Sequence, residues 1–146
     1  MKQIFLLAAA LLSTLSLAAP LSVKAENSAA VRRLLETREC SGCNLTGANL
    51  KGAHLIGVDL RNANLKGANL EGVNLEGADL TGANLKSANL TKAFISDSIL
   101  NNANLTNVNL SNSRLYNSDV DGAIMANIDL SGADVFNTAI SIGGEY

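Results

Sequence analysis

Cys40-Ser41-Gly42-Cys43 is the sharpest local motif in this chain of 146 residues. A CxxC pair can exchange electrons with a dithiol, supply half of a zinc site or close a structural disulfide. Zinc asks for four protein ligands, and His54 is the one further soft donor in the sequence. Redox catalysis asks for an exposed pair with a lowered thiol pKa. Asp59 and Asp79, with Arg61 nearby, offer paired carboxylates of the kind used in acid–base work, which needs burial to split their pKa values. With a single histidine in the chain, a nucleophile–base–orienter arrangement depends wholly on where His54 sits.

What positions these residues is visible in the composition. The chain is 47% hydrophobic but only 3% aromatic, with one proline and no tryptophan, so its core is built from small aliphatic side chains rather than rings. The length suits one domain. A formal charge of -2 excludes the basic footprint of a nucleic-acid binder.

The N-terminus reads as a leader. Met1-Lys2 precedes an apolar run from Ile4 to Leu12, interrupted by Ser13, Thr14 and Ser16 and broken at Pro20. That run is too short for a spanning helix, and Val23-Lys24-Ala25 resembles an A-x-A cleavage site. The pattern predicts a signal peptide over 1–25, cleaved after Ala25, with no stable membrane anchor left behind. Cys40 lies too far along for a lipoprotein cleavage box. Loss of Lys2 and Lys24 leaves nine basic against thirteen acidic residues, a mature charge of -4.

From Leu45 to Ile140 every fifth residue is large and aliphatic, twenty in succession with no slip. Two positions before each stands a small or modest side chain, such as Ala48, Ala63 or Ser98. Two positions after, sixteen of the twenty slots hold Gly or Asn, the residues that tolerate φ > 0 at the third position of a type II turn. A period of five fits neither the 3.6 of a helix nor the 2.0 of a strand. A unit that points one large and one small side chain inward must turn the chain once per repeat. Four turns close a square, so a circuit takes twenty residues, and five circuits stacked at ~4.8 Å make a rod roughly 24 Å long. The fold class predicted is all-β: a quadrilateral β-helix of about five coils.

The A-[N/D]-L-x-x unit, as in Ala48-Asn49-Leu50-Lys51-Gly52 and Ala68-Asn69-Leu70-Glu71-Gly72, resembles the pentapeptide repeat family over roughly 43–140. The resemblance implies a right-handed quadrilateral solenoid. It also implies a thin functional record: a few members resemble double-stranded DNA and bind topoisomerases, and most have no assigned activity. Exported members with a short helix and a CxxC ahead of the repeats resemble cyanobacterial proteins, which implies the periplasm or the thylakoid lumen, with secretion beyond the cell as the lesser choice.

On this grid residues 26–39 break the period and read as a short capping α-helix, with Asn27 or Ser28 as N-cap and Val31, Leu34 and Leu35 as its apolar stripe. The repeats then occupy 40–142, and 143–146 form a tail. Cys40 falls in a large slot and Cys43 in a small one, so both point inward under the helix. Export favours a structural disulfide between them; buried thiols, and redox or metal work, stay open as alternatives. His54, Asp59 and Asp79 point outward on an open wall and read as solvated surface. The columns Asn44, Asn64, Asn84, Asn104 and Asn49, Asn69, Asn89, Asn109 predict side-chain ladders between coils. The last coil, lined by Met125, Leu130, Val135 and Ile140, has no lid in the sequence, which suggests a homodimer through that end.

One exterior face collects Ile56, Phe94, Arg114, Tyr116 and Phe136, together with His54. Exposed aromatics beside an arginine are what the centre of an interface prefers; shielding of lower coils or contact with the C-terminal tail is the competing reading. The sequence therefore predicts a non-enzymatic, exported module with no cofactor or metal that contacts a protein partner and binds no nucleic acid. The rival readings are a DNA-mimicking topoisomerase binder, which wants a cytoplasmic address and a strongly acidic flank, and a dithiol–disulfide redox protein acting through Cys40 and Cys43. An ice-binding wall fails because Thr46, Thr81, Thr91 and Thr106 form no continuous column.

Overall fold

The structure is a computed structural model and describes residues 23–140. Helix α1 spans Val23–Thr37, and three short strands follow, β1 Phe94–Ser96, β2 Arg114–Tyr116 and β3 Asp134–Phe136, paired in parallel in the order β1-β2-β3. Every other pairing is an isolated parallel bridge that joins a residue to the one twenty positions on, from Glu39 with Asp59 to Asn109 with Asp129. The strands keep the same offset, Phe94 facing Arg114 and Arg114 facing Asp134. The chain thus winds a β-helix with twenty residues per circuit, and the quintet is one side of it.

The quintet closes its own hydrogen-bond account. In Asn44–Ala48 the Leu45 amide donates to Asn64 O at 2.8 Å and the Gly47 amide to Lys66 O at 2.9 Å, both on the next coil. The Ala48 amide donates to Leu45 O at 3.0 Å and closes the turn. In the coil above, the Asn64 amide reaches back to Cys43 O at 2.8 Å. Only the residue after the leucine lacks a backbone acceptor, and the asparagine supplies one: the Thr46 amide donates to Asn44 Oδ1 at 3.2 Å. The same bond recurs from Lys66 to Asn64, Glu71 to Asn69, Glu76 to Asn74 and Thr106 to Asn104. Buried or strand-bound amides must find partners, and the Asn/Asp before each large residue serves that need within its own coil.

This corrects the expected asparagine ladders. Because each Oδ1 is engaged by the amide two residues on, the Asn44 and Asn49 columns stack with a single side-chain rung among the described residues, Asn84 Nδ2 to Asn64 Oδ1 at 3.3 Å. The ladders appear instead on the turn residues. Asn127 donates to Asn107, and Asn117 to Asp97 Oδ1, each at 3.3 Å, and Asn137 donates to Asn117 at 3.0 Å.

At all twenty turn positions from Gly42 to Asn137 φ is positive. Glycine or asparagine fills seventeen of them; Ser87, Lys92 and Asp97 fill three successive ones at φ of 59°, 58° and 53°, a conformation that strains an ordinary L-residue by ~1–2 kcal/mol. The hydrogen-bonded circuit imposes that geometry whatever residue stands there.

The large and small slots meet on the axis. Leu45, Leu60, Leu65, Leu70, Leu80, Leu85, Leu90 and Ile95 are fully buried, with Ala63, Ala78 and Ala83 between them. Leu34 of α1 joins the same core, and Ala30 and Val31 pack against it. Three details of the helix differ from expectation. It begins at Val23, so Asn27 and Ser28 lie inside it rather than at its N-cap; Ala25, Ala29 and Ala30 favour continuation of the helix. Leu35 faces solvent, and Ala30, one turn before Leu34, takes its expected place in the stripe. The expected cut after Ala25 falls within the helix's first turn. Of the expected leader over 1–25, residues 1–22 lie outside the described residues, as do 141–142 of the expected repeats and the tail over 143–146.

Candidate functional site

The face that carries the aromatic residues is shaped by a column of hydroxyls at the small slot. At most corners the amide of the small residue closes the turn onto the large residue's carbonyl. At the corner after Ile95 a hydroxyl from the next coil stands in that bond. Ser118 Oγ accepts from the Ser98 amide at 3.4 Å and donates to Ile95 O at 2.8 Å. One coil on, Thr138 Oγ1 accepts from the Ser118 amide at 3.1 Å and donates to Leu115 O at 3.2 Å. Ser98 and Ser118 are buried, so these bonds keep interior polar groups satisfied. The corners they open are those that follow β1 and β2, where the chain runs as true strands. Sequence reading placed Ser98, Ser118 and Thr138 in the small slot without assigning them a role; the signal available was three hydroxyls spaced by twenty residues on one corner.

Those strands display two outward columns. One runs His54, Asn74, Phe94, Arg114, Asp134, and the other Ile56, Glu76, Ser96, Tyr116, Phe136. Phe94 is 42% exposed and Phe136 69%. The Arg114 guanidinium lies over the Phe94 ring, 5.1 Å from its centroid. Tyr116 OH donates to Asp134 Oδ2, a bond that holds the phenol's pKa above its ordinary value, with burial adding to the rise. The structure therefore brings Phe94, Arg114, Tyr116 and Phe136 together. It separates Ile56, which is exposed three coils below Tyr116, about 14 Å along the column. The face below ends in a tie: Arg38 NH1 donates to Ile56 O at 3.0 Å and His54 O at 3.4 Å, carbonyls on the first coil's outer edge. Sequence reading did not single out Arg38, whose φ of 59° follows the helix end.

Cys40 and Cys43 are joined by a disulfide, with Cα atoms 5.1 Å apart. They occupy the large and small slots of one turn, closed by the Cys43 amide on Cys40 O at 3.1 Å. Cys40 is fully buried and its Sγ lies 3.6 Å from Ala30 O of α1, a packing contact, since a disulfide sulfur has no proton to donate. His54 is exposed. Asp59 and Asp79 stack on successive coils, and Arg61 clamps Asp59 in a fork, Nε to Oδ1 at 2.9 Å and NH2 to Oδ2 at 2.7 Å, with Asp79 Oδ2 at 3.8 Å from Nε. The Arg61 side chain holds the Asp59 carboxyl below its usual range. Among the described residues no cluster of His, Cys, Asp or Glu could hold a metal, and no helix is long and apolar enough to cross a membrane.

The family model for pentapeptide repeats matches residues 39–77, 63–102 and 98–135. Among solved structures the chain is similar to a pentapeptide repeat protein from the Arabidopsis thaliana thylakoid lumen, at 27% identity and a TM-score of 0.63 over 69% of this chain and 70% of that one. It is also similar to pentapeptide repeat proteins from Nostoc PCC 7120 (30% identity, TM-score 0.42, 78% and 95% of the two chains) and Cyanothece 51142 (28%, 0.36, 78% and 99%). No curated protein matches.

Proposed function

Because the chain belongs to the pentapeptide repeat family, whose members are structural and interaction modules, we propose that it is an exported, non-enzymatic rod of about five coils. It works by protein–protein contact through the face of Phe94, Arg114, Tyr116 and Phe136. In this reading α1 caps the first coil, the Cys40–Cys43 disulfide is structural and fills the core beneath the cap, and the last coil is a second contact surface for a like copy. The observation that carries it is the cluster itself. Two strongly exposed rings, an arginine and a tyrosine share one rigid wall, in a protein otherwise nearly without aromatics. Rings and arginine are the residues that dominate binding at interface centres, and single apolar residues on a surface need no such grouping. The leader-like start over 1–25 and the lumenal origin of one similar protein support export.

Affinity capture from the native compartment tests the reading. The wild-type chain is expected to retain a specific protein that a variant with Phe94, Tyr116 and Phe136 all changed to Ser does not. Equal capture by both would overturn it.

A further inference from the structure

Arg114 is in an unusual position for a surface arginine. Asp134 is its cross-strand neighbour on the coil above, the same twenty-residue stacking across which Lys51 pairs with Glu71. Yet among the described residues the Arg114 guanidinium has no ion pair and no hydrogen bond. The reason is Tyr116, whose hydroxyl takes the Asp134 carboxylate, while the guanidinium lies over the Phe94 ring of the coil below. Asp97, in the turn after β1, is engaged by Asn117 Nδ2. The contact with the ring face occupies none of the guanidinium's N–H donors. A planar, pre-organised guanidinium is built to take a carboxylate with two parallel bonds, and the exposed Phe136 ring two coils above Phe94 offers apolar contact beside it.

We infer that this face selects a partner protein that presents a carboxylate side chain next to an aromatic or apolar one, with Arg114 as the specificity-determining contact. This rests on the interaction face proposed above and adds the chemistry that recognises the partner. Tyr116 acts as the positioning residue: by occupying Asp134 it keeps the arginine available.

The probe is N-acetyl-phenylalanine, which carries one carboxylate beside one ring, compared with its uncharged amide. The Arg114 Nε–H signal of the full 15N-labelled chain is followed by NMR. It is expected to shift saturably with the acid and to respond about tenfold more weakly to the amide, with Arg32 and Arg33 on the helix as unresponsive references. Tyr116→Phe frees Asp134 to turn to Arg114 and is expected to weaken the acid's effect about fivefold. Equal responses to acid and amide, an Arg114 shift no larger than that of Arg32, or a Tyr116→Phe variant that binds the acid unchanged would each overturn the inference. So would an Arg114 signal that moves on Glu145→Gln without probe, because the chain's own tail would then be the occupant. If these arms fail while the triple serine variant still loses its captured protein, the face stands and the carboxylate preference alone falls.

Discussion

Ile95, Leu115 and Val135 occupy the same slot of the same face on three successive coils, and they are 0%, 2% and 38% exposed. The slot fixes which way a side chain points; only a neighbour above and below removes it from water. The two ends of the rod differ accordingly. At the first coil Leu34, the Cys40–Cys43 disulfide and the Arg38 guanidinium meet the apolar interior and the edge carbonyls of His54 and Ile56. At the last, Met125 and Leu130 are half-exposed, with no counterpart to the helix among the described residues. Solenoid stability is a sum of coil and interface contributions, so identical repeats carry unequal weight.

The widest separation is expected between mid-rod and end-coil leucines. Leu70→Ala leaves a cavity in a fully buried stack and should cost about 3–5 kcal/mol, against about 1 for Leu130→Ala, read from urea unfolding midpoints. Equal losses would mean that the last coil is as enclosed as the middle.

Next comes the helix end. Changing Cys40 and Cys43 both to Ser puts a hydroxyl in the fully buried large slot and should cost about 2 kcal/mol. Cys40→Leu with Cys43→Ala restores the residue pair used throughout the core and should recover most of that loss. Failure to recover would show that the cross-link, rather than core filling, matters there.

Ser118→Ala leaves the Ser98 amide and Ile95 carbonyl without their shared hydroxyl and should cost about 1–2 kcal/mol. Ala88→Ser, on a corner that keeps its direct turn bond, gains no such role, and the contrast tests whether the hydroxyl column belongs to the aromatic face alone.

The smallest effect concerns pH. The Asp59 carboxyl sits below its ordinary pKa because of Arg61. Its contribution is present above the unfolded-state value and is lost as pH falls through the depressed one. Arg61→Ala removes the guanidinium but keeps the backbone amide bond to Asp59, so the Asp59 titration seen by NMR should rise toward the usual range while the unfolding midpoint at neutral pH hardly moves, as befits an exposed pair.

The winding of the chain was legible because its cause is local. One large slot, one small slot and a positive-φ corner recur within every five residues, and Gly47 or Asn62 announces the corner directly. What was misread depended on competition for a single atom. Asn44 can in principle ladder with its stacked neighbours, but its Oδ1 is taken by the amide and hydroxyl of Thr46. Leu35 fitted a helical stripe, yet the first coil admits only one leucine at its centre, Leu34. The hydroxyls of Ser98, Ser118 and Thr138 became meaningful only once residues twenty apart were set side by side. Arg38 had no period to mark it at all. The face of Phe94, Arg114, Tyr116 and Phe136 could be assembled from the grid, whereas the turn of Asp134 toward Tyr116 could not.

The amide accounting of the quintet has one more result. In Asn64–Ala68 the residue after leucine, Lys66, gives its amide to Asn64 and its carbonyl to Gly47, so its side chain owes nothing to the fold. Thr46, Lys86, Thr106 and Ala126 stand in the same column. The molecule keeps separate alphabets for folding and for being read: a column of outward letters, at a pitch fixed by the backbone, can be rewritten to address a different partner while the spelling of the interior stays as it is.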